Sequence, residues 1–203
     1  MKFLKIELAA LIAFIICITL STYKLDDECD GIREGLLRLH VIAASDSEYD
    51  QQIKLELRDL LLLKGKDIFS DSATKAEAAK KLSEGISLIQ TEADRFLESK
   101  SYPYRATVSL GKSYFPTRVY DSFTLPAGTY DALKVTIGSG EGRNWWCVMF
   151  PALCLPAAEK GKASFDGILT KKQQEIVTGE KYEIRLWLVE KWQELESFFL
   201  YNG

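Results

Sequence analysis

Apolar residues recur along this chain with two different periods, and the change from one to the other marks its elements. From Leu37 to Ala44 the pattern alternates. Leu37, Leu39, Val41 and Ala43 share one face and Arg38, His40 and Ile42 the other, as on a strand. Ser45-Asp-Ser47 ends that run. Tyr49, Ile53, Leu57, Leu60 and Leu61 then form a helical stripe, while Asp50, Lys54 and Arg58 recur at steps of four on another. Ser47 with Asp50 three residues on resembles a capping box, with Asp in place of Glu or Gln. Gly65 is the expected stop of this helix. Asp71-Ser-Ala-Thr74 opens a second, longer helix that runs to about Glu98. Its apolar face is Ala79, Leu82, Ile86, Ile89, Ala93 and Phe96; Lys80, Lys81, Glu84, Glu92 and Arg95 make a solvated face.

The second half returns to period two. Tyr104, Ala106, Val108 and Leu110 alternate with Arg105, Thr107 and Ser109, and Gly111 is expected to turn the chain. Phe115 to Tyr120 is a short extended piece. Leu125-Pro-Ala-Gly128 is a turn, because proline presets its backbone. Leu133, Val135 and Ile137 mark a further strand. Gly138-Ser-Gly-Glu-Gly142 links it to a strand over Trp145–Phe150. Residues 157–165 read as a loop, and Thr170 with Gln173 caps a short helix that stops at Gly179. Beyond Tyr182 an extended stretch is expected to lead into a terminal helix. The order β-α-α-β-β-β-α, with strands grouped after helices, predicts an α+β domain. Its mainly antiparallel sheet of about four to five strands is packed by the two helices of the N-terminal half and by C-terminal helices. The domain is expected over 37–203, with a helical extension from about 166.

Ahead of it, Lys2 and Lys5 precede an apolar run from Ala9 to Leu20. The run is short for a spanning helix, which needs about 20 apolar residues. Residues 1–24 are therefore read as a signal peptide or an N-terminal membrane anchor, and the acidic stretch 25–36 as a linker. The lysines place the N-terminus in the cytoplasm and the domain outside. With 203 residues, 47% hydrophobic and 27% charged, the chain can bury one ordinary core. A net charge of -3 leaves no electrostatic footprint for nucleic acid, which is excluded as a partner on that ground.

Candidate chemistry is sparse. His40 is the sole histidine, and a triad with Ser45 and Asp46 would need geometry that sequence proximity does not supply. Gly138–Arg143 misses both glycine-rich phosphate spacings. Asp46 and Asp50 are accounted for by a helix N-terminus, which favours acidic side chains. No catalytic residue, metal or cofactor is assigned. Cys147 and Cys154 flank a proline and can pair if the domain is exported, closing a small loop worth roughly 2–3 kcal/mol; zinc is the rival reading and lacks further ligands at tight spacing. Trp145 and Trp146 are adjacent on a strand, so they point to opposite faces. One can enter the core while the other offers a binding contact.

Arg38, His40-Val-Ile-Ala43, Ser45-Asp46, Asp50-Gln51, Lys54, Arg58-Asp59, Tyr102-Pro103, Phe115-Pro116, Leu125-Pro-Ala-Gly128, Tyr130, Ala132-Leu133 and Asn144-Trp-Trp-Cys147 together resemble the stage II sporulation protein R family. The resemblance spans roughly Gly35 to Leu155. Ala44 stands where that family usually has asparagine, and Ala152 where it has proline. The resemblance implies a signal rather than an enzyme: a protein exported across the forespore membrane that acts in the intermembrane space. There it would activate, by direct contact, a membrane-embedded aspartic peptidase that processes the sigma-E precursor. The expected contact surface is Asp46, Asp50, Gln51, Lys54 and Arg58 with Trp145 and Trp146. A membrane-anchored envelope hydrolase using His40 and an envelope glycan-binding module built on a tryptophan are the alternatives.

Overall fold

The alternating run predicted around His40 is the centre of the main sheet. A computed structural model describes residues 2–69, 72–151, 153, 165–179, 182, 186–187 and 189–191. The elements are α1 (Lys2–Gly35), β1 (Leu37–Ile42), α2 (Glu48–Phe69), α3 (Lys75–Ser99), β2 (Ala106–Phe115), β3 (Arg118–Val119), β4 (Thr124–Leu125), β5 (Gly128–Ile137), β6 (Asn144–Phe150) and α4 (Lys171–Thr178). The fold is α+β with a mainly antiparallel, mixed four-stranded sheet. The chain divides into two compact units, one of Arg33–Phe115 and Thr129–Ile168, the other of Met1–Ile32, Pro116–Gly128 and Leu169–Gly203.

The first unit carries the sheet, in the order β2-β5-β1-β6. β1 runs parallel to β5 and antiparallel to β6. Leu37, Leu39 and Val41 meet Leu133, Val135, Ile137, Cys147 and Met149 on one face, together with Ile53, Leu57 and Leu61 of α2 and Leu82, Ile89, Ala93 and Leu97 of α3. That face is the core; Leu39, Val41, Ile53, Leu57, Leu82, Ile89 and Ala93 lie where the two periods place them, whereas Tyr49 is exposed and α3 buries Ala78 and Leu97 in place of the partly buried Ala79 and Phe96. β1 is buried at all six positions because it is paired on both sides. The opposite face of the sheet carries Arg38, His40 and Ile42, in register with Ala132, Lys134 and Thr136 on β5 and with Val148, Trp146 and Asn144 on β6.

Arg38 is fully buried yet well placed. Its guanidinium carbon lies 4.0 Å from the Phe115 ring centroid and 4.8 Å from that of Tyr130, and its Nε donates to the Cys147 carbonyl at 3.3 Å. Aromatic faces and a carbonyl substitute for the water this cation loses.

β2 is an edge strand, and α3 shields part of its edge with side chains. Gln90 Nε2 donates to the Ala106 carbonyl at 2.8 Å, and the Val108 N–H donates to Gln90 Oε1 at 2.9 Å. The Ala106 N–H donates to Asp94 Oδ1 at 3.2 Å. These bonds occupy backbone groups that would otherwise template another strand.

Two expected punctuation marks are overridden. α2 continues through Gly65 to Phe69. A glycine inside a helix costs about 1 kcal/mol, which the packing of buried Leu57, Leu61 and Leu62 offsets. β2 continues through Gly111, whose missing Cβ would meet open space. Gly138 and Gly140, with φ of 57° and 68°, do turn the chain, as does Gly167 with φ of 75°.

In the second unit β3 and β4 form a two-stranded antiparallel ribbon. α4 starts at a complete capping box between Thr170 and Gln173, as expected from the sequence. Residues 25–35, expected as a linker, continue α1. Leu25, Cys29 and Ile32 recur at helical spacing, and the last two are buried. Glu28 pairs with Lys172 at 2.6 Å, and a Cβ on Gly31 would overlap the Gln173 amide. Earlier in α1, Ile6, Leu8, Leu11, Ile12, Phe14 and Ile16 are exposed. Among the described residues no helix is long and apolar enough to cross a membrane. Most of the 157–165 loop and of the tail after Tyr182 lies outside the described residues; the tail pieces 186–187 and 189–191 are helical.

Candidate functional site

The segment after β1 turns because its own short polar side chains bind its backbone. The Ser47 N–H donates to Ser45 Oγ at 3.1 Å and the Asp50 N–H to Ser47 Oγ at 3.1 Å. These bonds engage free N–H groups at the start of α2. The Asp50 carboxylate does not close the capping box with the Ser47 backbone. It accepts instead from Ser45 Oγ at 2.6 Å and from the Tyr102 hydroxyl at 2.7 Å. Hydrogen bonds from Ser45, Tyr102 and Ser47 hold its pKa below the usual carboxylate value against the opposing effect of burial. Burial and the bond to Asp50 raise the Tyr102 hydroxyl well above its usual pKa.

The loop between β5 and β6 is laced onto this turn. The Gly142 N–H donates to the Ala43 carbonyl at 3.0 Å, the Glu141 N–H to that of Ala44 at 3.3 Å, and the Arg143 N–H to Asp46 Oδ1 at 2.7 Å. The approach needs glycine, since a Cβ on Gly142 would overlap the Ser45 carbonyl. Gln51 Nε2 donates to the Ser45 carbonyl at 2.8 Å. Lys54 spans turn and loop, donating to Gln51 Oε1 at 2.5 Å and to the Arg143 carbonyl at 3.0 Å. Its pKa is lowered, first by burial and then by the charge of Arg143.

Asp46, Gln51, Lys54, Arg58 and Trp145 thus come together, but not all face outward. Lys54 is 4% exposed and Asp50 9%. Asp50 and Lys54, four residues apart on one stripe, do not pair with each other: Asp50 turns to Ser45 and Tyr102, and Lys54 to Gln51 and the Arg143 carbonyl. Asp46, Trp145 and Arg143 form the open part, with Arg58 half-buried beside them. The Arg58 guanidinium carbon lies 4.2 Å from the Trp145 ring centroid, and Nε and Nη2 both donate to Asp59 Oδ1. Planar guanidinium on indole is a favourable arrangement.

Trp146 points to the opposite sheet face, as alternation requires. It stacks on His40 with centroids 5.8 Å apart and planes at 17°. His40 is not brought to Ser45 or Asp46. Its Nε2 lies 2.7 Å from Asn144 Oδ1 and its Nδ1 3.3 Å from Ser113 Oγ. An amide oxygen only accepts, so Nε2 carries the proton and Nδ1 accepts from the serine. The imidazole ties β6 and β2 to β1 from the inside. Its pKa is lowered, by burial first, with the Asn144 bond opposing and Lys134 and Arg38 assisting.

That shift has a sign that can be measured. A histidine that binds its proton less readily when folded favours the unfolded state in acid. Its stabilisation is complete above the unfolded pKa of about 6.5 and is lost as pH falls through the lower folded value. His40→Gln is expected to flatten that segment of the urea-stability profile, above the pH where carboxylates titrate. The imidazole's own titration by NMR, in a chain with one histidine, should fall below 6.5. A midpoint at or above 6.5 would contradict the geometry.

Arg143, Tyr102, Ser113 and Asn144 complete these arrangements without having been singled out for them. Tyr102 and Asn144 lie in matched motifs, but nothing local ties Tyr102 to Asp50 or Asn144 to His40. Cys147 is buried, and neither Cys17 nor Cys29 is disulfide-bonded. The partner expected for Cys147, Cys154, lies outside the described residues.

Residues 33–160 match the family described as stage II sporulation protein R. The chain belongs to the stage II sporulation protein R family. It is 34% identical over 149 residues to the stage II sporulation protein R of Bacillus subtilis (strain 168), a match covering 72% of this chain and 66% of that protein. The match therefore spans just under two thirds of the relative's length. No solved structure matches the chain. The family match takes in the turn, the β5–β6 loop and both tryptophans, so the whole candidate surface lies inside the family's shared region.

Proposed function

We propose that this member of the stage II sporulation protein R family is an exported signalling protein of endospore formation. It crosses the forespore membrane by its N-terminal segment, with Cys147 paired to Cys154. In the intermembrane space it contacts a membrane-embedded aspartic peptidase and favours the peptidase's active arrangement, so that the sigma-E precursor is processed. The family match over residues 33–160 carries the sporulation role. The contact surface is the open part of the turn and loop: Asp46, Gln51 and Arg143 around the Trp145–Arg58 stack. What supports it is rigidity. Backbone and side-chain bonds fix the turn from both sides, so little ordering entropy is lost on binding. An indole held on a guanidinium is the type of side chain that dominates interface energetics. The shift imposed on the peptidase is no larger than the difference between its two states in affinity for this surface.

The test is reconstitution. The full chain, the membrane peptidase and the sigma precursor are co-expressed in a host that does not sporulate. Precursor cleavage that requires this chain is the expected result. Absence of cleavage, with chain and peptidase both present at the membrane, would sink the proposal.

A further inference from the structure

β2 closes the main sheet at the end away from β6, and α3 covers only the first half of its outer edge. Just ahead of β2, the Gly138 N–H donates to the Arg105 carbonyl at 2.9 Å, so Arg105 turns its backbone toward the β5 side. Backbone groups alternate sides along a strand. Ala106 and Val108 therefore turn theirs outward, where Gln90 and Asp94 of α3 bind them. The same alternation turns the N–H and carbonyl groups of Leu110 and Lys112 outward. Among the described residues, no α3 side chain bonds to these groups or to the Val108 carbonyl. The space beside them is open: a Cβ on Gly111 would meet nothing within 4 Å, and the Lys112 side chain is 66% exposed.

We infer that this second half of the β2 edge is a docking site for an extended acidic segment of a partner protein, which adds to the sheet as a further strand. It is independent of the Trp145 surface, since β6 lies at the opposite edge of the sheet. Backbone and charge together define the occupant. A row of outward N–H and carbonyl groups is matched by another extended backbone. Charge then selects among such backbones. Lys75 and Lys112 share the carboxylate of Asp131, at 2.5 and 3.0 Å, and Lys134 is exposed on the other face of β5. The open half thus carries an excess of positive charge. The covered half sets Asp94 and Glu98 against Arg105. An acidic segment is drawn to the open half and repelled from the covered one. A second copy of this chain fits poorly. Two β2 edges paired antiparallel over so short a window bring their Lys112 side chains together, and like charges across a strand pair destabilise it.

The experiment uses the full chain in detergent and the pentapeptide amide Thr-Val-Glu-Val-Thr, labelled with fluorescein at its N-terminus and read by anisotropy. Saturable binding is expected, with a Kd below about 1 mM. Lysine in place of the peptide's glutamate should weaken it about tenfold or more. N-methylation of the three central residues, which removes their backbone donors, should abolish it. On the protein, Lys112→Gln should weaken binding about threefold or more. Lys112→Pro also removes an outward N–H, at a position where an edge strand tolerates proline, and should abolish binding. Circular dichroism on each variant confirms the fold. Should Lys112→Pro unfold, the N-methylated peptide puts the same question to the wild type. No saturable binding at about 1 mM, equal binding by folded wild type and Lys112→Pro, or equal binding of the N-methylated peptide overturns the inference. A wild-type dimer in analytical ultracentrifugation that Lys112→Pro dissociates overturns it in favour of a second copy.

Discussion

Trp145→Ala is expected to lower precursor cleavage in the reconstituted assay at least 30-fold while the protein still folds. The magnitude is that of a central interface residue, about 2 kcal/mol or more. The fold should survive because Trp145 is 37% exposed and stacks on Arg58, itself only half-buried. Losing that stack costs on the order of 1 kcal/mol. Trp146→Ala should behave in the opposite way. It removes the ring stacked on His40 inside the sheet, so melting temperature falls first and any loss of signalling follows the loss of folded protein. Arg58→Lys lies between the two: charge is kept, but the planar stack is lost. Thermal melts beside the cleavage assay separate the three. Normal cleavage by folded Trp145→Ala would take this surface out of the contact. Charge reversal at Lys54 is a poor probe of the contact, since that ammonium is buried between Gln51 and the Arg143 carbonyl.

The largest stability effect is expected at Asp50. Asp50→Ala removes the acceptor for the hydroxyls of Ser45 and Tyr102, the latter buried. It also removes a negative charge from the first turn of α2. Bonds to a charged acceptor contribute about 1.5–3 kcal/mol each, and helix-end charges about 0.3–1. Part of this is recovered when Ser45 reaches water, so the net cost is about 2–4 kcal/mol. A urea midpoint at neutral pH measures it. The pH dependence supplies a second check. Because the folded pKa is depressed, the contribution of Asp50 is complete above the unfolded value of about 3.9 and is lost as pH falls through the folded one. Wild type and Asp50→Ala should therefore converge in stability below that range. A gap that persists unchanged in strong acid would mean that the carboxylate's charge is not what holds the turn.

The local pattern already carried much of this molecule. Alternation located β1 and β5, and the pleat of the strand expected over Trp145–Phe150 set the opposed directions of Trp145 and Trp146. Helical spacing located α2 and α3, and the Thr170–Gln173 pair marked the start of α4. These features depend on residues a few positions apart, where backbone geometry fixes which side chains share a face. Gly65, Gly111 and the stretch 25–35 were misjudged for a complementary reason. Glycine and acidic residues express a preference of about 1 kcal/mol, and burial of Leu61, Leu62, Cys29 and Ile32 is worth more.

What the sequence by itself determined is therefore the strands of the main sheet, the helices α2 to α4, the two faces of the central strand and the family to which the chain belongs. Only the tertiary structure decided which polar residues serve the fold and which are left for a partner. Asp50 and Tyr102 are 52 positions apart, Lys54 and the Arg143 carbonyl 89, His40 and Asn144 104. No short-range pattern encodes such pairs. Tyr102 reaches Asp50 from the segment after α3; the other two pairs exist because β1 lies beside β6 and the loop joining β5 to β6 crosses the start of α2. That loop buries Lys54 and leaves Trp145 at the surface.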